Sequence, residues 1–308
     1  MEDNNIKENI KNILLQKNGI EIYVYIKVNE KYEIKKMNAQ DDVRDSIQTK
    51  IEGRLNLKFC NEDVKFVQIE EYDEKKETYC IIDKTDYDGL NKICELDNVE
   101  EFYKGNEGDI QGFIIKYGTE TNFVILYQTF YPMNLMKKDK TIMGFLEDVS
   151  GEPQFKLIKN NIIKISDNID IVILDQTIIS NEFKILENRF GFKKYIENIS
   201  NNVVNQIESI DMIEKTEEIN EYLDDYKIKK KIAKIRGSKV LQMDKTIIIN
   251  RVLEDDYYKK NIKIENGNIK IKTKKDFNVF LKLLNDDILK SNITSTTYDA
   301  SSKKEMNK

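Results

Sequence analysis

Apolar positions recur at helical spacing over residues 4 to 16, where Ile6, Ile10, Ile13 and Leu14 share one face, and Gly19 then stops the helix. The run IEIYVYIKV at 20 to 28 is β-branched and aromatic and predicts a strand. A second helix is predicted from Asp41 to Leu57, with Val43, Ile47, Ile51 and Leu55 on one face, and VKFVQIE at 64 to 70 alternates as a strand does. The order is β-α-β. YCIID at 79 to 83 predicts another strand and LNKICEL at 90 to 96 a short helix. The polar, glycine-bearing KGNEGD at 104 to 109 marks a joint between an N-terminal α/β subdomain, 1 to 105, and a larger unit, 106 to 308.

The clearest β pattern follows that joint. GFIIKY at 112 to 117 and FVILYQTFY at 123 to 131 predict a hairpin that ends at Pro132, and FKLI, NIIKI and IDIVIL between 155 and 174 are expected to extend its sheet. From Asn181 the spacing becomes helical through NEFKILENRFGF and KKYIENISNNVVNQIESI. A helix is expected to start at Asp244, although TIII at 246 to 249 also fits a strand. IKIENGNIKIKT at 262 to 273 predicts a hairpin, because Asn-Gly supplies the positive φ angles of a type I′ turn. DFNVFLKLLNDDIL is read as a last helix. The fold class is therefore mixed α/β (α+β), with a mainly antiparallel sheet over 112 to 174, helices over 181 to 256, and a basic hairpin and terminal helix over 259 to 290.

Charge changes this picture. Residues 1 to 226 carry 29 basic and 45 acidic side chains, a net of −16, whereas residues 227 to 308 carry 21 and 10, a net of +11. The basic stretch opens with KIKKKIAKIRGSK at 227 to 239. As a helix ended by Gly237 and Ser238, it puts Ile228, Ile232 and Ile235 on one arc and Lys227, Lys230, Lys231 and Lys234 on another. Cations gathered in this way suit phosphate, because they release condensed counterions when they meet nucleic acid. The full cationic set is Lys227, Lys229, Lys230, Lys231, Lys234, Arg236, Lys239, Lys259, Lys260, Lys263, Lys270 and Lys272, with Lys274 and Lys275 beside it. No RNA-recognition motif, zinc finger or KH loop accompanies it, so contact with the sugar-phosphate backbone is the natural mode. The bland alternative is a solvated face, or one paired with the acidic segment 207 to 226 in an antiparallel helix hairpin.

Composition excludes more than it selects. The chain has no histidine, which removes imidazole acid-base chemistry, histidine triads and HExxH zinc sites. Cys60, Cys80 and Cys94 lack C-x-x-C spacing and are expected to be reduced and mostly buried. No run approaches the length of a membrane span, and the acidic, polar start MEDNNIKENIKNILL is unlike a secretory signal, so a cytoplasmic location is expected. No cofactor is implied. One nuclease-like arrangement stands as an alternative: Asp170 or Asp175 with Glu182 could hold a divalent metal while Lys184 assists a water. Tyr127, Phe130, Tyr131, Met133 and Met136 beside Lys137 and Lys138 could stack bases or pack a core. Asp286 and Asp287 sit near a predicted helix C-terminus, where anions are unfavourable.

The aromatic segment YQTFYPMNLMKK, the strand IDIVIL followed by NEFKILENRFGF, and the terminal FLKLLNDDILKSNITSTTYDASSKK together resemble the KwaB family. These proteins are the soluble subunits of the two-component Kiwa anti-phage system. The resemblance runs from about residue 110 to 303, and its most specific part holds Asp286, Asp287, Ser291, Thr294, Tyr298, Ser302 and Lys303, whose role is unknown. Asn292-Ile293-Thr294-Ser295 departs from the Pro-Leu-Thr-Gly expected there. What the resemblance implies is a DNA-binding defence effector, a homodimer, partnered with the transmembrane subunit KwaA at the inner face of the membrane. A basic-faced adaptor that lies on anionic lipid or an acidic protein remains a further reading.

Overall fold

The computed structural model describes residues 2–16, 19–72, 77–103, 107–137, 143–147, 153–157, 160–166, 168–213 and 217–300. In chain order the elements are α1 (Glu2–Leu15), β1 (Gly19–Val28), β2 (Lys31–Lys36), α2 (Asp41–Phe59), β3 (Lys65–Val67), β4 (Thr78–Asp83), α3 (Asn91–Cys94), β5 (Ile110–Gly118), β6 (Phe123–Thr129), β7 (Leu135–Met136), β8 (Met143–Glu147), β9 (Pro153–Leu157), β10 (Ile162–Ile163), β11 (Ile171–Leu174) and β12 (Thr177–Ser180). Then follow α4 (Phe183–Arg189), α5 (Phe192–Ile210), α6 (Glu217–Leu223), α7 (Tyr226–Ala233), α8 (Lys245–Glu254), α9 (Asp256–Asn261), β13 (Lys263–Glu265), β14 (Asn268–Lys270), α10 (Lys274–Leu284), β15 (Ile288–Lys290) and β16 (Thr297–Asp299). The mixed α/β class is borne out. The chain forms two compact units, one of Met1–Phe66 with Asp83–Ile185, the other of Val67–Ile82 with Leu186–Lys308.

In the first unit the strands lie in the order β2-β1-β5-β6-β11-β12, every neighbouring pair antiparallel. β1 enters the sheet by pairing with β5, Ile22 opposite Ile115, so the N-terminal strands and the hairpin after residue 109 share one sheet. Helices α1 and α2 pack on it through β6 and β1. Val24, Ile26, Ile110, Phe113 and Phe130 form one buried cluster there. Sequence periodicity did not find β2. Its turn has Asn29 and Glu30 at φ +48° and +64°, the signs of a type I′ turn without the glycine that usually announces one.

Several other expectations are corrected. The strand expected over 64 to 70 is only Lys65–Val67, after which the backbone turns at Gln68 to Tyr72. β8 pairs with β9 and β7 with β10 as separate two-stranded ribbons, so of the three segments between 155 and 174 only IVIL joins the sheet. Of KGNEGD, residues 104–106 lie outside the described residues, and Glu107–Asp109 form a 3-10 turn into β5.

The second unit is mostly helical. α5 buries Phe192, Ile196, Ile199, Val203 and Ile207 along one face and packs against α7, while α9 touches both α8 and α10. The TIII ambiguity resolves as helix: Ile248, Ile249 and Val252 are buried at spacings of one, three and four, a helical stripe. The hairpin β13–β14 turns at Asn266 and Gly267, with φ +53° and +77°, as predicted. α10 stops at Leu284 instead of running through NDDIL. The reason is a C-terminal motif in which the Asp286 N–H donates to the Leu283 carbonyl at 3.0 Å and the Asp287 N–H to the Lys282 carbonyl at 2.9 Å, with Asp286 at φ +53°.

A lysine-bearing surface in the second unit

Asp225 starts the basic helix. Its side chain accepts the Lys227 N–H at 2.9 Å, capping α7, and its other oxygen lies 2.9 Å from Lys274 Nζ at the start of α10. The Lys274 ammonium and the Lys227 N–H hold the Asp225 carboxyl below its ordinary value. Ile228, Ile232 and Ala233 face inward. The helix ends at Ala233, four residues before Gly237. Beyond it the chain turns through Arg236 and Gly237, the latter at φ +85°, into a 3-10 turn at Lys239–Gln242, so Arg236 and Lys239 leave the helical row in which the spacing placed them.

Each cation has its own surroundings. Lys227 is exposed, and Lys231 donates to Asn278 Oδ1 on α10 at 2.8 Å. Lys229 Nζ lies 3.0 Å from Glu197 Oε1 on α5, Lys230 Nζ 2.6 Å from Glu187 Oε1 on α4, and Arg236 Nε 3.5 Å from Glu70 Oε1. Lys234, at the helix C-cap, is half-buried. Lys259 and Lys260 are exposed in the last turn of α9, where cations complement the helix dipole. On the hairpin, Lys263 and Lys272 are exposed and Lys270 pairs with Glu265, whereas Ile269 and Ile271 are buried. The structure thus joins α7 to α10 through Lys274 and Lys231, beside Lys272 and Lys275, and sets Lys229, Lys230 and Arg236 against glutamates. Those glutamates come from α4, α5 and residue 70, and of the acidic segment Asp225 caps α7 and pairs with Lys274.

The Glu187 carboxylate was not singled out by sequence reasoning. It accepts the Tyr226 hydroxyl at 3.0 Å as well as Lys230, whose ammonium also lies 5.2 Å from the centre of the Tyr226 ring. Burial, and then the neighbouring Glu187 and Glu197 charges, push the Tyr226 phenol well above its ordinary range. No local signal in the sequence could pair residues 187 and 230. Also missed was a pocket of about 510 Å³ bordered by α8, α9 and the end of α10, with Ile248, Arg251, Tyr258, Leu283 and Asp286 in its wall. Lys239 and Asp286 are the sequence candidates that reach it.

The terminal motif residues shape the backbone. Asp287 is buried and accepts the Asn285 amide at 2.8 Å, and Ser291 Oγ accepts the Ile293 and Thr294 N–H groups at 3.3 and 3.2 Å in the turn between β15 and β16. Thr294 Oγ1 in turn accepts from the Thr296 N–H at 3.3 Å, and Tyr298 is exposed on β16 opposite Leu289. Ser302 and Lys303 lie outside the described residues.

The nuclease-like candidates lie along β11 and just after β12. Asp170 and Asp175 flank β11, and five residues of extended chain separate them by roughly 17 Å. Asp170 is buried and hydrogen-bonded to Thr129 and Asn168, while Glu182 and Lys184 are exposed. Among the described residues no three Cys, Asp or Glu side chains are grouped to hold a metal ion. Of the aromatic segment, Tyr127 and Phe130 are buried and Tyr131, Met133, Met136 and Lys137 exposed; Lys138 lies outside the described residues. Among the described residues no helix is long and apolar enough to cross a membrane.

No solved structure is significantly similar to this chain. The Kiwa protein KwaB of Escherichia coli O55:H7 (strain RM12579 / EPEC) is 24% identical over 310 residues, an alignment covering 97% of either protein. Residues 107–294, more than half of the sequence, match the family described as Kiwa protein KwaB-like, and the chain belongs to that family.

Proposed function

We propose that this chain serves in Kiwa anti-phage defence by binding DNA through backbone phosphates, with little sequence preference, so as to block phage replication or transcription. Family membership supports the defence role. The observation that supports the DNA reading best is the 2.9 Å contact of Asp225 with Lys274. It ties the start of α7 to that of α10, so that Lys227 and Lys231 on one helix and Lys272 and Lys275 at the start of the other lie on joined elements, with Lys274 itself held by Asp225. Few of these side chains have the rigid, bidentate geometry that reads base edges, and lysine ammoniums suit phosphate oxygens as point charges. In this reading the protein is a cytoplasmic homodimer, recruited to the inner face of the membrane by a KwaA-like transmembrane subunit.

The test is a salt titration of duplex binding by the wild type and by K227E/K231E/K272E. The variant is expected to lose affinity equally for duplexes of unrelated sequence, with a log-log salt slope shallower by about 0.9 per lost phosphate contact. Equal affinity of variant and wild type would remove the DNA reading. Co-purification with the product of the neighbouring gene tests the membrane partner separately.

A further inference from the structure

The cations of α7 are not equally available. Lys230 and Lys229 lie 2.6 and 3.0 Å from Glu187 and Glu197, and their side chains are still 34% and 21% exposed. Glu187 itself is only 12% exposed and is held by the Tyr226 hydroxyl, so its carboxylate is fixed in front of the lysine instead of swinging with solvent. α5, packed along α7, brings Glu197 to the same surface. A carboxylate edge presents two anionic oxygens, as a phosphate does, at the same contact distance from an ammonium.

Resting on the DNA reading above, we propose that Glu187 and Glu197 are internal stand-ins for phosphate that keep Lys230 and Lys229 out of the contact with a duplex. Glu187 is only 12% exposed, so parting it from Lys230 would leave a largely desolvated carboxylate without its cation, and the pair resists exchange for a phosphate. The masking lowers the number of cations that can release counterions from DNA. Isolated or weak polyanions meet only the uncovered lysines, Lys227 and Lys231 among them. A duplex, with a phosphate charge every 1.7 Å or so of its axis, likewise meets the uncovered lysines, so the two carboxylates lower the number of phosphate contacts and with it the salt dependence of binding.

The experiment compares duplex binding by the wild type, E187Q/E197Q, and E208Q as a charge control. Glu208 is exposed on α5 and forms no ion pair among the described residues. Unmasking two lysines is expected to steepen the salt slope by about two, so that the double variant's advantage over the wild type shrinks about tenfold between roughly 50 and 200 mM salt. E208Q should keep the wild-type slope. A wild type that binds weakly or not at all beside a double variant that binds firmly also supports masking. A double variant that matches the wild type or E208Q overturns masking and leaves DNA binding standing, whereas failure of wild type and double variant alike to bind any duplex removes both. K229Q/K230Q in the wild-type background checks the idea without touching a glutamate: masking predicts a loss within about twofold, and a loss as large as that of K227Q/K231Q overturns it.

Discussion

Asp170 Oδ2 accepts the backbone N–H of Thr129 at 2.6 Å, in a place where both residues are buried. Its second oxygen takes the Asn168 amide at 2.7 Å. The carboxylate therefore fills the ladder where β6 runs past the start of β11, and it has a structural task that needs no metal. Asp170→Ala leaves a buried N–H without an acceptor and is expected to lower stability by about 1–3 kcal/mol in chemical denaturation. Asp175→Asn, in the exposed β11–β12 turn, should change it far less, because asparagine tolerates the left-handed backbone there at φ +51°. Equal effects would mean that the Thr129 bond contributes nothing.

Gly112 on β5 leaves the space that the Tyr127 ring occupies, because a Cβ built there would lie 2.5 Å from the ring and its hydroxyl. Through that opening Tyr127 donates to the Gln111 carbonyl at 3.3 Å and meets Tyr25 edge-on, 6.1 Å between centres. Gly112→Ala should destabilise the first unit by about 1–3 kcal/mol through overpacking. The cost should be smaller in a Tyr127→Leu background, because two residues in contact do not act additively. A full double-mutant cycle by denaturant titration measures that difference, and strict additivity would remove the close-approach explanation.

Which parts of this fold were legible in the sequence follows from how local their causes are. The Asn266-Gly267 turn and the inward stripes of α5 and α10 are set by neighbours a few residues apart, and the periodicity finds them. The pairing of β1 with β5 depends on strands some ninety residues apart, which leave no mark on spacing beyond both being apolar. The basic helix was legible as an amphipathic pattern, but its stop at Ala233 was not, since Lys234 and Ile235 continue the pattern without a breaker. Least legible were the partners of its cations. Glu187 and Glu197 look like any other surface carboxylates until α4 and α5 bring them against Lys230 and Lys229.

Three phenols give the protein an alkaline limit. Tyr226 and Tyr258 in the second unit and Tyr23 in the first are pushed above the ordinary phenol value of 10.0, chiefly by burial and then by nearby carboxylates, Glu187 for Tyr226, Asp286 for Tyr258 and Glu21 for Tyr23. A group whose folded value is raised favours the native state fully below its unfolded value, and that contribution is lost as pH climbs from there toward the folded value. Unfolding free energy should therefore fall above pH 10 or so, where unfolded phenols ionise and native ones hold their protons. Denaturant titrations across that range check it, with phenolate absorbance read on the native protein. Tyr226→Phe should flatten the decline, and native phenols that all titrate at the ordinary value would contradict it.

Asp286 occupies a position that favours glycine on two counts. At φ +53° it is the left-handed residue that ends α10, where a Cβ is crowded, and its negative charge stands at the negative end of that helix. Its N–H is committed to Leu283 whatever the side chain, so Gly in its place keeps the terminating hydrogen bonds. The added freedom of glycine in the unfolded chain offsets part of the gain. Asp286→Gly should accordingly raise stability by up to about 1 kcal/mol, seen as a higher denaturation midpoint at unchanged slope. Asp286→Asn separates the causes, since it removes the charge and keeps a residue that tolerates this conformation. A midpoint that falls in both variants would mean that the carboxylate makes a stabilising contact at the mouth of the pocket it borders, strong enough to outweigh both penalties.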